Sequence, residues 1–172
     1  VAGEAVIRVS FMMTYVNGYQ GLPMVITGAL TSESAAKRMQ ETISTFKMAS
    51  LPGALRRGGI AWRSAIKVRL MHAMVRTHLL RHPETWDYSV YGVPIPQVDQ
   101  MGAALGVNFM MALQALKRGG KFTRFERDAV EQARYLAYLL GMHDQFLSAD
   151  PAQIVDTWRM CQATLRHSFD PR

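Results

Sequence analysis

Proline and glycine punctuate this sequence so that helices are the elements that fit between the breaks. Pro52-Gly53, Gly58-Gly59, Pro83, Pro94, Pro96, Gly119-Gly120, Gly141 and Pro151 separate long intervals whose apolar residues recur at helical, not alternating, spacing. A first helix is expected from about Glu4 to Tyr19, ending near Gly18 or Gly21, with Pro23 to Leu30 as a connection. Thr31 or Ser32 caps a second, from about Glu33 to Ala49. A third runs from about Ala61 to Arg81 and stops at Pro83. Glu84 to Gln97 reads as a loop in which Tyr88-Ser89-Val90-Tyr91 is briefly extended. A fourth helix covers about Val98 to Lys117. Thr123-Arg124-Phe125-Glu126 is a capping box that opens a fifth, and Gly141 closes it. Asp150, with Pro151 at the first helical position, opens a sixth. Strand alternation and internal repeats are absent from the sequence, so the expected class is all-α: one bundle spanning 1–172 with about six or more helices.

Composition narrows the functional classes. With 49% hydrophobic and 19% charged residues, 172 residues can bury a core as one domain. The single cysteine, Cys161, excludes an internal disulfide and a cysteine-held zinc or iron–sulfur centre. The net charge of +7 fits an acidic partner, but the basic residues are spread out, with one small cluster from Arg56-Arg57 to Lys67-Arg69. No nucleic-acid signature accompanies them, and nucleic acid is not expected as a partner. Met101 to Leu116 is the longest apolar run. Asn108 and Gln114 interrupt it, so it reads as a buried helix and not a membrane span. Beginning at valine, the chain reads as a fragment lacking its native N-terminus. The cytoplasm is favoured for the chain as given, and export if a leader was removed.

One histidine stands out from the five. His72 has Arg69 three residues before it and Arg76 four after, so all three share a helix face. Nearby cations disfavour imidazolium, and a neutral ring is what a metal takes as a ligand. Two arginines suit a bound anion, such as the carboxylates of a haem. A lone helical histidine is more often an ordinary core or surface residue. His78, His82, His143 and His167 complete no close metal-ligand pattern. Other metal centres need several protein ligands, whereas haem needs one on a side. Haem is therefore the better metal hypothesis. Arg38 and Thr42, one turn apart, form a second polar pair. They are either an exposed arginine with a threonine bonded back to a carbonyl, or a pair facing a cofactor pocket. Lys37 and Glu41 read as a solvated ion pair.

Four segments in order resemble the catalytic domain of the rubber oxygenases, or latex-clearing proteins, a family that includes the prenyl-chain oxygenase of mycophenolic acid biosynthesis. They are Arg38-x-x-x-Thr42; Val68-Arg69-Leu70-Met71-His72-Ala73-Met74-Val75-Arg76; Gly92-Val93-Pro94-Ile95-Pro96-Gln97-Val98-Asp99; and Leu116-Lys117-Arg118-Gly119 with Tyr135-Leu136-Ala137-Tyr138-Leu139-Leu140-Gly141. The resemblance implies a globin-like helical fold around haem b. It implies His72 as the axial iron ligand, Arg38 and Thr42 as catalytic pocket residues, and Arg69 and Arg76 in support, with their meeting the propionates inferred from spacing. It implies cleavage of carbon–carbon double bonds of an isoprenoid or other unsaturated apolar substrate by O2. Met12, Met13, Phe46, Phe109, Met110 and Met111 are apolar candidates for a substrate tunnel, though most read as plain core. Glu41 stands where some latex-clearing enzymes carry lysine, and Pro96 where relatives often have asparagine. No acidic residue upstream of Arg38 matches the family's base. The alternative is a cofactor-free basic helical module that binds an acidic protein, a nucleic acid or a membrane surface.

Overall fold

A computed structural model describes residues 21–163, apart from residue 32 and the side chains of 101–104. The expected helix over about Glu4–Tyr19, and with it Met12 and Met13, lies outside the described residues, as does His167. Among the described residues the chain is all-helical and has no strand. The helices are α1 (Leu22–Ile26), α2 (Ala35–Ala49), α3 (Ile60–Leu80), α4 (Tyr88–Tyr91), α5 (Gln97–Lys117), α6 (Arg124–Leu140) and α7 (Pro151–Ala163), with a 3₁₀ turn at Asp144–Phe146.

Local chemistry explains most boundaries. Thr123 and Glu126 form the expected reciprocal capping box, and Gly141 ends α6 in the left-handed region at φ 95°. Asp150 accepts from the Gln153 N–H at 2.9 Å and so caps α7. Two short helices depart from expectation. The Pro23–Leu30 connection contains α1, which has proline in its first turn. Tyr88–Tyr91 is a helical turn and not extended, because Asp87 accepts from both the N–H (2.9 Å) and the hydroxyl (2.6 Å) of Ser89. That carboxylate nucleates the turn and overrides the extended preference of tyrosine and valine.

The start of α3 uses backbone in place of a side-chain cap. The N–H groups of Ala61 and Trp62 both donate to the Ala54 carbonyl at 3.1 Å. The chain must pass very close to that oxygen. A Cβ at position 59 would lie 2.3 Å from it, which only glycine avoids.

The helices pack in the spatial order α2, α3, α6, α5, α7, with α5 and α7 making the most extensive pairing. Four apolar clusters hold them. Ala49, Ala54, Ala61 and Ala65 meet Leu136 and Leu139, joining α2, α3 and α6. Leu105, Ala137, Met142, Leu147 and Cys161 join α5, α6 and α7, and Ala112, Val130, Ile154 and Val155 continue that layer. Leu22, Leu79 and Trp86 seat α1 against the far end of α3. Phe46, Phe109 and Met111 pack partly buried against these clusters, whereas Met110 is exposed.

Gly59→Ala should lower stability by about 1–3 kcal/mol, the usual range for overpacking a tight site. Thr123→Ala should cost about 1 kcal/mol through loss of the cap. Urea unfolding followed by far-UV circular dichroism checks both.

Candidate active site

The site is built outward from α3. Ala61, Ala65, Val68, His72, Val75, Arg76 and Leu79 are buried or partly buried along one stripe, at spacings of three and four. Leu70 and Met74, on the opposite side, are 60% and 64% exposed. His72 is thus turned inward, with the core-facing residues of its helix. Its Nδ1 is buried and has no hydrogen-bond partner among the described residues. Burial, followed by the positive charge of Arg76, lowers the His72 pKa below the usual histidine range. Burial is the larger cause, so the neutrality expected from two flanking arginines has a different main origin.

The arginines diverge from the shared face. Arg76 donates from Nε to the Pro94 carbonyl (3.1 Å) and from Nη2 to the Ile95 carbonyl (2.9 Å). Arg69 is exposed and lies over Gly141. A Cβ there would come within 3.0 Å of its Nε. A cation at that place suits the carbonyl end of α6. Arg38 donates from Nε to the Ala29 carbonyl at 3.1 Å and lies 3.9 Å from Glu41. Thr42 donates to the Arg38 carbonyl at 3.0 Å, the back-bonded arrangement. No hydrogen bond or ion pair joins Arg38 or Thr42 to His72 among the described residues. Lys37 and Glu41 form the expected exposed pair at 4.0 Å.

The stretch from Trp86 to Gln100 carries most of what sequence reasoning missed. Trp86 is 2% exposed and donates from Nε1 to the Gly92 carbonyl at 2.8 Å. Gln97 bridges to the end of α6. Its Nε2 donates to the Gly141 carbonyl (3.3 Å), and its Oε1 accepts from the His143 N–H (2.7 Å). Gln100 donates to the Ile95 carbonyl at 3.3 Å. The signal was present in Pro94-Ile95-Pro96. Two prolines supply no N–H, so their neighbourhood must find partners from elsewhere. Asn108, noted in sequence only as an interruption, is 2% exposed. Its Oδ1 is a second buried atom without a partner among the described residues.

Two further features bound the chemistry. Among the described residues no group of three or more His, Cys, Asp or Glu could hold a metal ion. An open groove of about 490 Å³ lies at the α2–α3 turn, lined by residues including Leu51, Arg56, Gln132 and Tyr135. His72, Arg38 and Thr42 do not line it.

Residues 6–172 match the family described as ER-bound oxygenase mpaB/B'/Rubber oxygenase, catalytic domain. The chain belongs to this family. The four sequence segments all fall within the matched residues, and the described residues are all-helical. No curated protein and no solved structure matches the chain. This is an oxygenase catalytic-domain chain, and no described helix of it is long and apolar enough to cross a membrane.

The lowered His72 pKa has a sign that can be tested. Folding disfavours the protonated ring, so the unfolded chain binds more protons below the ordinary value of 6.5. His72 therefore favours the fold above that pH and costs stability as pH falls through its depressed folded value. Urea midpoints between pH 7.5 and pH 5 should fall for the parent chain and fall less for His72→Gln.

Proposed function

We propose that this chain is a haem b-dependent oxygenase that cleaves carbon–carbon double bonds of an isoprenoid or other unsaturated apolar substrate with O2. The observation that carries the reading is the buried Nδ1 of His72 on the inward stripe of α3, which has no partner among the described residues. Buried polar atoms are nearly always satisfied, so this one calls for a partner beyond the described residues, which a bound group would supply. The ring is held toward its neutral form, which leaves a lone pair for a metal. A haem asks the protein for one ligand on a side, which suits a chain whose described residues gather no ligand cluster.

In this reading His72 would hold the haem iron. Arg38 would supply positive charge toward a cofactor carboxylate, whereas Arg76 is engaged by the Pro94 and Ile95 carbonyls and Arg69 lies over Gly141. Thr42 would act beside Arg38 in the pocket. Its hydroxyl proton is engaged by the Arg38 carbonyl, which leaves its oxygen to accept. When bound, haem supplies the activation of dioxygen. Atoms balance without a further reductant: the C=C and O=O bonds break, and two C=O bonds form.

The test is an absorption spectrum with a pyridine haemochrome assay on the purified protein. The expected result is about one haem b per chain. His72→Ala should lose it while keeping its helicity, since alanine favours helix. Thr42→Val should keep haem and lose turnover, read as O2 uptake with an oligoisoprene. With ¹⁸O₂, label should enter both carbonyl products. A chain that stays colourless after reconstitution overturns the reading. It would favour the cofactor-free basic module, whose binding to an acidic partner falls steeply with salt.

A further inference from the structure

Ile95 is the one non-glycine residue at positive φ among the described residues, at 53°. A β-branched residue there is a genuine outlier, and preceding Pro96 restricts it further. Such a conformation persists only where its surroundings over-determine it. Here they do. Pro94 is fully buried and Ile95 is 8% exposed. The two consecutive carbonyls, of Pro94 and Ile95, are held by the two arms of one guanidinium, and Gln100 adds a third donor. That guanidinium belongs to Arg76, one turn beyond His72 on the same inward stripe of α3. Trp86 fixes the near end of the segment at Gly92, and Gln97 fixes the far end to the close of α6. The strained turn is thus pinned directly to the helix that carries His72.

We propose that Arg76 is a positioning residue for the His72 site: its fork grips the Pro94–Ile95 turn and seats the 92–96 segment against α3, fixing that wall of the site. This rests on the haem reading for its functional half, whereas the grip itself belongs to the cofactor-free chain. The proposal separates geometry from charge. A carboxylate held by simple attraction would accept lysine at position 76. Two adjacent carbonyls held by a planar fork would not, because an ammonium is a point charge on a flexible stem.

The test compares Arg76→Lys and Arg76→Gln with the parent chain. Amide hydrogen exchange at Gly92 and Gln100, whose N–H groups donate to the Tyr88 and Pro96 carbonyls, is measured without haem, and haem affinity and the absorption bands of the bound haem are measured by titration. Both variants should speed exchange at these two amides at least about tenfold, as expected for a locally opened segment. Both should weaken haem binding to a similar extent and shift its absorption bands, with overall helicity kept. Parent-like exchange and haem binding in Arg76→Lys overturns the proposal and assigns Arg76 a charge role. Faster exchange with unchanged haem affinity and bands also overturns it, leaving the turn merely structural. Haem binding is read in His72→Ala alongside. If that variant binds haem as the parent does, the haem reading has failed, while the exchange data still decide the grip. Should Arg76→Lys fail to fold, it is made in an Ile95→Gly chain, where positive φ carries no steric cost. Recovered folding there supports the grip, and continued failure overturns it.

Discussion

The inward stripe of α3 meets three different surfaces along its length, and the described part of the molecule is arranged around that demand. At its start, Ala61 and Ala65 are small enough for α6 to approach with Leu136 and Leu139. At its end, Leu79 packs with Leu22 and Trp86. Between these apolar ends the stripe turns polar, with His72 and then Arg76. A polar interruption on a core-facing stripe is costly unless each group is satisfied. Arg76 is satisfied by backbone carbonyls, and His72 Nδ1 has no partner among the described residues. That contrast is what distinguishes a structural polar group from a candidate ligand on the same helix.

The basic residues around the site serve backbone more than they serve one another. Arg38 reaches the Ala29 carbonyl, Arg76 reaches Pro94 and Ile95, and Arg134 reaches Leu147. Each joins a helix to the irregular segment beside it. Arginine suits this because its planar fork presents several donors at fixed angles, where a loop lacks regular partners for its carbonyls. In a chain with net charge +7, part of the charge surplus is therefore fold architecture and not a docking surface.

The candidate site was legible in part. His72 and Arg76 were chosen from spacing, and both fall on the inward stripe. Their inclusion with Arg69 as one cluster was not sustained in space. Spacing of three and four residues places side chains on a common face, but a long arginine stem can leave that face for a neighbour's helix end. Arg69 does so at Gly141. Arg38 and Thr42 kept their predicted proximity to each other through a local hydrogen bond, which a sequence can signal. Trp86, Gln97 and Gln100 were missed because their partners, Gly92, Gly141, His143 and Ile95, are set by how α3, α5 and α6 converge.

Local chemistry in the sequence was enough to determine the long helices from α2 onward, their ends at Gly119-Gly120 and Gly141, and the caps at Thr123 and Asp150, because caps and breakers act within a few residues. It did not determine α4, where one aspartate outweighed β propensity, or the turn at Ile95, which no local preference favours. Above all it could not say which side of α3 faces inward. Leu70, Met71 and Met74 are as apolar as the residues that become core, so the helix pattern is ambiguous all round. Only the packing of α2, α6, α1 and Trp86 against one side chose the stripe that buries His72. Burial depends on neighbours brought from distant parts of the chain, and that is decided by the tertiary structure alone.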